Sequence, residues 1–429
     1  MRSLITDLYE LTMADVYLRS GMDGWAVFEM SVRPHKFRNF MVSAGVLEAA
    51  KEITDLRFTE EDIRYLRSLG KFSEEFLDYL REFRFDGDIY VVPDGRIFFA
   101  REPVMVVEST RIKGQILETM LLNRLAYQIN SASKAARIYH AAQGRMLLEF
   151  GARRAADEWA AVRVARATYV AGWSGTSNLE AGKLYGIPVY GTMAHAFVQT
   201  YRTEFEAFLE FARAYPESAI FLVDTYDTFA GIEVAIEVVN HLKDSLRLKG
   251  IRIDSGDLVE MSRYARRRLK EAGLEDVIIV LSGDLNEWKI RDIVERGEAD
   301  AFGVGSEVAL PPDKPVLGAI YKLVEDEHGF KHKFSKGKVV IGGSKRIYRY
   351  YDSRGKLLRD VVAHRKEAYD GEPIMVQVVR KGEYVFDDDS LERARERFLT
   401  DYNSLPEEYL NIDEGVDPPV EYSPTLHLR

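Results

Sequence analysis

The chain has 429 residues, which argues for two or three domains at roughly 150 residues per domain. Its 59 Lys and Arg residues against 69 Asp and Glu residues give a formal net charge of -10, which argues against a nucleic acid or an anionic membrane as partner. The chain has no cysteine, so disulfides, thiolate zinc sites, iron–sulfur clusters and cysteine nucleophiles are excluded.

The amino-terminal segment is unlike a signal peptide, because Asp7 and Glu10 interrupt what would have to be its apolar core. No later apolar run approaches the roughly 20 residues that span a bilayer. We therefore expect a cytoplasmic protein of enzyme size with no membrane partner.

Two stretches near the amino terminus, residues 25–33 and 88–110, alternate between apolar and polar positions. Within the second stretch, a turn is predicted at Pro93-Asp94-Gly95. This alternation with period two is typical of an antiparallel sheet.

From about residue 147 to 310, short apolar runs rich in β-branched residues alternate with segments of helical periodicity. The seven predicted strands are 147–153, 167–173, 187–193, 219–225, 250–256, 276–283 and 301–305. Helices are predicted between them, for example over 195–215 and 262–273, where apolar residues recur at intervals of three and four.

Such alternation predicts parallel strands joined by right-handed crossovers, either in a closed barrel or in an open doubly wound sheet. Small or polar residues follow every predicted strand, whereas an open sheet concentrates its ligand residues near one switch point. The pattern favours an α/β fold containing an irregular β/α barrel of about seven β/α units.

The segment 316–364 alternates like the amino-terminal flank, with turns predicted at Gly329, Gly337, Gly342 and Gly355. Neither flank is long enough for a large core of its own, so we expect the two to pair into one α+β domain beside the barrel. A helix is predicted over 390–405. The expected parts are 1–115 and 313–390 for the α+β domain, 116–312 for the barrel and 391–429 for a helical tail.

The segment 250–258 (GIRIDSGDL) places Arg252, Asp254 and Asp257 at a strand end that a helix follows. Arg252 and Asp254 are two residues apart and so share one face of the strand. One interpretation is an anion-binding arginine beside carboxylates that hold ribose hydroxyls or hydrated Mg²⁺, which prefers one or two carboxylates plus phosphate oxygens. The structural alternative makes Asp254 or Ser255 a helix cap and Arg252 its ion-pair partner.

Glycines in 302–308 (FGVGSEV) would let the backbone approach a phosphate, and the segment 282–287 (SGDLNE) permits the same interpretation. Glycine-rich strand ends are also common in barrels without this role. The segment 340–345 (VIGGSK) lacks the spacing of a Walker loop and fits a hairpin turn better.

His195 follows a predicted strand end, where it could act as a general base, a ligand or a phosphoryl-accepting nucleophile. A structural helix-capping role is the alternative. Phe150 is followed in the sequence by Arg153 and Arg154. Together they would suit a planar aromatic acid, which the ring would stack on and the arginines would pair with. A core phenylalanine with solvated arginines explains the same residues.

Taken together and in order, these segments resemble nicotinate phosphoribosyltransferase, a type II phosphoribosyltransferase. The resemblance covers roughly residues 4–352 and rests on TDLYELTMADVY (6–17), FRNFMVSAGVLEAA (37–50), LEFGARRA (148–155), GTSN (175–178), GTMAHAFV (191–198), LVDTYDT (222–228), GIRIDSGDL (250–258) and FGVGSEV (302–308). So many ordered motifs are more specific than any single one of them.

The resemblance implies conversion of nicotinate and 5-phosphoribosyl 1-pyrophosphate to nicotinate mononucleotide and pyrophosphate, in NAD salvage. It also implies Mg²⁺ as cofactor, ATP hydrolysis coupled to the reaction, and an irregular barrel with fewer than eight regular strands. Finally, it implies a homodimer whose active sites lie between subunits.

Carried over residue by residue, the resemblance implies that Phe150 stacks on the pyridine, with Tyr9 of the partner subunit on the opposite face. Arg153 and Arg252 would bind the pyridine carboxylate and the phosphoribosyl ligand, in an order left open. Ser177 stands where nicotinamide-preferring relatives carry an Asp, and a neutral hydroxyl does not repel a carboxylate.

His195 matches the histidine that the family phosphorylates from ATP, with Asp224 and Asp227 as its expected neighbours. Asp254 would hold the ribose or the metal, and His195, Arg252, Asp254 and Asp224 are the expected catalytic residues. The other expected substrate contacts are Thr176, Asp227, Ser255, Gly256, Asp257, Gly283, Asp284, Gly303, Gly305 and Ser306.

The chain departs from the family pattern at SGDLNE, where Ser-Asn-Asp-Leu-Asp-Glu is common, and at Gly342-Gly343, where a Pro-Gly turn is common. It also lacks the cysteine-ligated metal knuckle of some archaeal-type relatives. The alternatives are nicotinamide phosphoribosyltransferase, quinolinate phosphoribosyltransferase, and a barrel retained as a non-catalytic ligand-binding protein. Ser177 argues against the first, and the second should need extra basic residues for a second carboxylate.

Overall fold

The computed structural model describes residues 2–333 and 340–426. It divides the chain into two compact units, one formed by the residues up to Ser133 together with those from Asp313 onward, the other by Lys134–Pro312. The first boundary falls inside the helix Glu118–Ala142. The division expected at 115/116 and 390/391 stays a prediction, and the turn predicted at Gly337 lies outside the described residues.

The main sheet of the first unit joins the two flanks of the chain. Strand Trp25–Val32 pairs antiparallel on one side with Pro103–Thr110 and on the other with Ala319–Asp326. Within the described residues, the seven strands run in the order Gly329–Phe330, Ala319–Asp326, Trp25–Val32, Pro103–Thr110, Asp88–Val91, Val376–Arg380 and Glu383–Tyr384. Seven of the eight residues of Trp25–Val32 are buried, so this strand is covered on both faces.

Smaller sheets and helices complete the first unit. One sheet contains Glu372–Pro373, Lys345–Tyr351, Leu357–His364 and Val420–Tyr422, and a short pair contains Met41–Val42 and Ile97–Phe98. The helices are Leu8–Arg19, Val46–Thr54, Glu60–Ser68, Glu74–Arg81, Arg111–Gln115, the first part of Glu118–Ala142, Leu391–Ser404 and Glu407–Leu410. The helix predicted over 390–405 is confirmed as Leu391–Ser404. It begins after Ser390, whose side chain caps it.

A parallel sheet forms the centre of the second unit. Among the described residues its six strands run in the order Gly175–Thr176, Met146–Glu149, Ala301–Val304, Ile278–Leu281, Gly250–Ile253 and Ile220–Leu222. Its α-helices are the end of Glu118–Ala142, Glu158–Val170, Leu179–Tyr185, His195–Thr200, Glu204–Ala214, Thr228–Leu242, Leu258–Glu271, Glu287–Arg296 and Ser306–Ala309, with short 3-10 turns at Ala152–Arg154 and Lys243–Ser245. The predicted α/β class with parallel strands is confirmed.

Two of the seven predicted strands are wrong. Residues 167–170 end the helix Glu158–Val170, which the Asp157 side chain caps by accepting from Ala160 N at 2.7 Å. Residues 187–193 form only a single bridge, between Val189 and Thr176. The helix predicted over 195–215 is two helices, and the Thr203 side chain caps the second.

Among the residues that the structure describes, no helix combines the length and the apolar character needed for a membrane crossing.

Candidate active site

The candidate site lies at the carboxyl ends of the parallel strands of the second unit. Phe150, Asp254 and Gly305 each directly follow a strand, and Thr176 ends one. The carboxyl ends of parallel strands share one edge of the sheet, where ligands bind in such folds. The order of the strands brings together residues that are far apart in the sequence.

Arg252 is a partly buried cation, with its side chain 16% exposed, and its pairing is incomplete. One terminal nitrogen donates to Thr192 Oγ1 at 2.6 Å, and the other lies 3.9 Å from Asp254 Oδ1. Its Nε has no hydrogen-bond partner among the described residues. Burial lowers the pKa of Arg252 and the nearby Arg153 lowers it further, while the carboxylates of Asp254 and Asp224 oppose both effects. An anionic ligand would stabilise this guanidinium.

Asp224 links two neighbouring strand ends. Its Oδ2 accepts hydrogen bonds from Asp254 N at 3.1 Å and from Ser255 Oγ at 2.6 Å. Its Oδ1 is buried and has no hydrogen-bond partner within the described ranges. The Ser282 hydroxyl donates to Asp254 Oδ1. The two carboxylates are therefore held in fixed positions, with one oxygen of Asp224 left for a ligand.

The structural alternative of a helix cap at Asp254 or Ser255 is wrong. Asp257, and neither Asp254 nor Ser255, caps Leu258–Glu271, since its Oδ1 accepts from Val259 N and Glu260 N at 3.1 and 3.0 Å. Asp227 likewise caps Thr228–Leu242. The substrate contacts predicted for these two aspartates stay predictions.

His195 begins the helix His195–Thr200, and the residue before it, Ala194, makes no side-chain cap. The capping role considered for His195 is therefore wrong. Its Nδ1 lies 3.2 Å from Thr225 Oγ1, and Thr225 directly follows Asp224. The expected neighbour Asp224 is thus next to the residue that contacts His195.

Glu204 adds a carboxylate that the sequence analysis missed. Burial raises the pKa of Glu204, and the negative charges of Asp227 and Asp224 raise it further. Glu204 begins the helix Glu204–Ala214. The sequence predicts one helix over 195–215, whereas the chain has a break between Thr200 and Glu204. This break places Glu204 at the start of a helix near the site.

The glycines of the site make room for neighbouring atoms. A Cβ on Gly303 would lie 2.3 Å from Cε2 of Phe150, and one on Gly283 would lie 1.9 Å from the carbonyl oxygen of Asp254. Gly283 also has φ +96°, which favours glycine. These positions therefore require glycine for packing, whether or not a phosphate binds there.

The other glycine-loop residues lie at the same strand ends. A Cβ on Gly305 would lie 2.8 Å from the carbonyl oxygen of Phe150, and Gly256 has φ +84°. Asp284 is exposed and has φ +45°. Ser306 is exposed at the start of the short helix Ser306–Ala309.

Glu149 is a second residue that sequence reasoning missed. It is fully buried, accepts a hydrogen bond from Thr176 Oγ1 at 2.5 Å, and accepts another from Gly151 N. The backbone of Ser177 also bonds to it, through Ser177 N and Glu149 O at 2.9 Å. Burial raises the pKa of Glu149 to about 7, although both side-chain hydrogen bonds lower it. This residue connects the loop after Phe150 with the loop that carries the exposed Ser177.

Tyr9 lies in the first unit, on the helix Leu8–Arg19, and is 45% exposed. The first unit also contains a cavity of about 450 Å³ whose charged lining is mostly cationic. Its charged residues are Glu29, Arg33, Arg101, Lys322, Lys333 and Lys345. These cations come from separate segments, so no sequence motif indicated the cavity.

No cluster of three or more His, Asp or Glu side chains suited to a metal ion occurs in the described part of the chain. A hydrated Mg²⁺ needs fewer protein ligands than that, because it takes one or two carboxylates and completes its shell with water and phosphate oxygens. Asp224, with its unpartnered Oδ1, and Asp254 fit such a site.

Comparison with known proteins gives consistent matches. Residues 4–126 match the nicotinate phosphoribosyltransferase (NAPRTase) N-terminal domain, and residues 146–369 match the nicotinate phosphoribosyltransferase (NAPRTase) family. Nicotinate phosphoribosyltransferase pncB2 of Mycobacterium tuberculosis is 41% identical over 425 residues, covering 98% of this chain and 91% of that protein. The Bacillus subtilis nicotinate phosphoribosyltransferase is 42% identical over 357 residues, covering 81% and 73%.

The fold is also similar to a solved structure, that of human nicotinic acid phosphoribosyltransferase. The TM-score is 0.87 at 24% identity, over 99% of this chain and 98% of the human chain. This likeness shows a shared fold.

Proposed function

Because the chain belongs to the nicotinate phosphoribosyltransferase family, we propose how its strand-end residues perform that reaction. The enzyme joins nicotinate to the ribose of 5-phosphoribosyl 1-pyrophosphate, forming nicotinate mononucleotide and pyrophosphate in NAD salvage. The roles of individual residues, the cofactor, the part played by ATP and the oligomeric state belong to the proposal.

The partly buried, incompletely paired guanidinium of Arg252 carries the proposal. Nicotinate is an anion, and 5-phosphoribosyl 1-pyrophosphate and its leaving group carry several negative charges. Arg252 and the nearby Arg153 divide the pyridine carboxylate and the phosphoribosyl ligand between them. The ring of Phe150 lies beside the backbone of Gly303 and provides the stacking surface for the pyridine.

Glycosyl transfer from this donor passes through a ribose centre with oxocarbenium character. The pyridine nitrogen forms the new bond to C1 of the ribose, and the bond from C1 to the pyrophosphate oxygen breaks. Position and electrostatics therefore supply most of the rate. Phe150 and Ser177 orient the acceptor, and Arg252 stabilises the departing negative charge.

Selectivity for the acid is assigned to Ser177. Its side chain is exposed and neutral, and its backbone is held by Glu149. A carboxylate at this position would repel nicotinate and accept a hydrogen bond from an amide. A nicotinamide-specific site is therefore disfavoured.

Mg²⁺ is the proposed cofactor, with Asp224 and Asp254 as the residues that would hold it. When bound, it would neutralise charge on the pyrophosphate group. Asp224 also orients Ser255 and the backbone of Asp254 through its second oxygen.

His195 is the proposed acceptor of the γ-phosphoryl group of ATP. With the proton on Nδ1 donated to Thr225 Oγ1, the lone pair of Nε2 can attack the γ-phosphorus. The bond from that phosphorus to the oxygen of ADP then breaks, and ADP leaves. The phosphorylated His195 favours loop conformations that bind the substrates tightly.

A homodimer is proposed from the helix Leu8–Arg19. Its Tyr9, Met13 and Val16 are exposed by 45%, 36% and 52%, and their intervals of four and three place them along one face. Leu8, at the start of the same helix, is 48% exposed. An apolar face of this kind is typical of an interface. Tyr9 of one protomer would then stack on the pyridine bound by its partner.

Two coarser expectations are also kept as proposals. The bridge between Thr176 and Val189 extends one edge of the parallel sheet, which supports an irregular barrel. The absence of cysteine suits a reducing compartment and supports a cytoplasmic location.

The direct test is pyrophosphate release from 5-phosphoribosyl 1-pyrophosphate with nicotinate, nicotinamide or quinolinate, each with and without ATP. We expect release with nicotinate, stimulated by ATP, and little with the other two acceptors. Faster release with nicotinamide or quinolinate would contradict the assignment. Nicotinate binding without pyrophosphate release would indicate a non-catalytic protein.

A further inference from the structure

The helix Glu118–Ala142 carries a buried lysine that contacts two carboxylates. Lys134 Nζ lies 2.7 Å from Glu287 Oε2 and 2.9 Å from Glu307 Oε2. The side chains of Lys134 and Glu287 are 0% exposed and that of Glu307 is 16% exposed. A buried ammonium is stable only while its carboxylate partners stay in contact, because an unpaired charge in the interior is costly.

The two carboxylates belong to two glycine-containing segments at strand ends, 282–287 and 303–307, which we call the two loops although they include the adjoining strand and helix residues. Glu287 is the first residue of the helix Glu287–Arg296, and Glu307 lies in the short helix Ser306–Ala309 that follows the strand Ala301–Val304. These loops carry the expected contacts to the ribose and its 5-phosphate, namely Gly283, Asp284, Gly303, Gly305 and Ser306. The ammonium group of Lys134 therefore contacts one carboxylate from each loop.

The two carboxylates are held unequally. Glu287 is also contacted by Arg137, whose Nε lies 2.8 Å from Oε1, and the ring of Trp288 lies beside both cations. For Glu307, the ion pair that the structure describes is with Lys134. Without Lys134, Glu287 would keep its ion pair with Arg137, whereas Glu307 would lose its ion pair with Lys134.

We propose that Lys134 is a positioning residue that holds the loop Gly303–Glu307 against the loop 282–287 and so sets the affinity for 5-phosphoribosyl 1-pyrophosphate. This inference rests on the proposed assignment of both loops to the phosphoribosyl ligand. Lys134 acts through Glu307, and its role needs no contact with substrate.

The test is the variant Lys134→Met, which removes the charge and keeps an unbranched side chain. We expect the KM for 5-phosphoribosyl 1-pyrophosphate to rise about tenfold and the KM for nicotinate to stay within about twofold, because only the loops of the first substrate are displaced. An unchanged KM for 5-phosphoribosyl 1-pyrophosphate, or an equal rise in both values, would overturn the inference.

Arg349→Met is the matched control. Arg349 is also a buried, ion-paired cation, 2.7 Å from Asp360 with both side chains 0% exposed, and it belongs to the first unit. Its loss should lower stability by the same mechanism and leave the ratio of the two KM values unchanged. A similar change of that ratio in Arg349→Met would show a general effect of destabilisation and overturn the role of Lys134.

If Lys134→Met does not fold, Glu307→Gln tests the same ion pair. Glutamine has the size of glutamate, and the Glu307 side chain is less buried than that of Lys134. Glu307→Gln should raise the KM for 5-phosphoribosyl 1-pyrophosphate, and an unchanged value would refute the link. Ser306→Ala separates the inference from its premise. If Ser306→Ala raises this KM and Glu307→Gln does not, the role of Lys134 alone fails; if Ser306→Ala has no effect, the loop assignment fails as well.

Discussion

Replacement of Glu149 by glutamine should change how the stability of the protein depends on pH. Burial raises the pKa of the Glu149 carboxyl from 4.5 to about 7. At 1.36 kcal/mol per pKa unit, that difference corresponds to about 3 kcal/mol. Glutamine keeps the shape of the side chain and an oxygen that can accept from Gly151 N, but it does not ionise.

The sign follows from proton binding. Between pH 4.5 and about 7 the folded state binds more protons at Glu149 than the unfolded state does. The stabilisation from this group is therefore complete below pH 4.5 and is lost as the pH rises through about 7. Relative to the parent protein, Glu149→Gln should gain about 3 kcal/mol in unfolding free energy between these limits.

Urea unfolding at pH 5 and pH 8, followed by circular dichroism, measures most of this difference, about 2.5 kcal/mol. The control is Glu180→Gln, an exposed glutamate on the neighbouring helix Leu179–Tyr185, which should show equal effects at both pH values. If the free-energy difference between Glu149→Gln and the parent is the same at pH 5 and pH 8, Glu149 does not titrate in this range and the reasoning from its burial fails.

Three further substitutions test the assignments at the site. His195→Ala should abolish both ATP hydrolysis and its stimulation of nicotinate turnover, as a coupled assay of ADP release would show; unchanged values would disprove the phosphoryl-acceptor role. Gly303→Ala should raise the KM for nicotinate about tenfold, because the new Cβ would lie 2.3 Å from the Phe150 ring; an unaltered KM would show that the ring does not position the pyridine. Ser177→Asp should shift the ratio of kcat/KM from nicotinate toward nicotinamide by about tenfold or more, through repulsion of the carboxylate; a ratio that does not move would remove Ser177 from the specificity site.

Five of the seven predicted strands are present, because their short, β-branched apolar runs form the buried centre of a parallel sheet. The same signal was misleading at 167–173. The helix Glu158–Val170 is buried around most of its circumference, so its apolar run lacks the stripe that distinguishes an amphipathic helix. Periodicity alone does not separate a buried helix from a buried strand.

For the candidate site, the motifs identified residues that directly follow strands, such as Asp254 and Gly305. Residues that act through distant partners gave no such signal. Glu149 and Lys134 are buried charged groups whose partners become neighbours only in the folded chain. Asp257 and Asp227 each cap the helix that follows a strand end, a role that the sequence analysis did not assign to them. Their predicted substrate contacts stay predictions.

The most direct test of the central claim compares kcat/KM for nicotinate between the parent enzyme and Arg252→Ala, with Arg247→Ala as control. Arg247 is exposed and precedes the amino end of the same strand, Gly250–Ile253. We predict a loss of about 100-fold or more for Arg252→Ala and a change of less than about twofold for Arg247→Ala, because only Arg252 lies where charge is bound and released. Equal activity in the two variants would contradict the assignment of the strand-end edge as the active site.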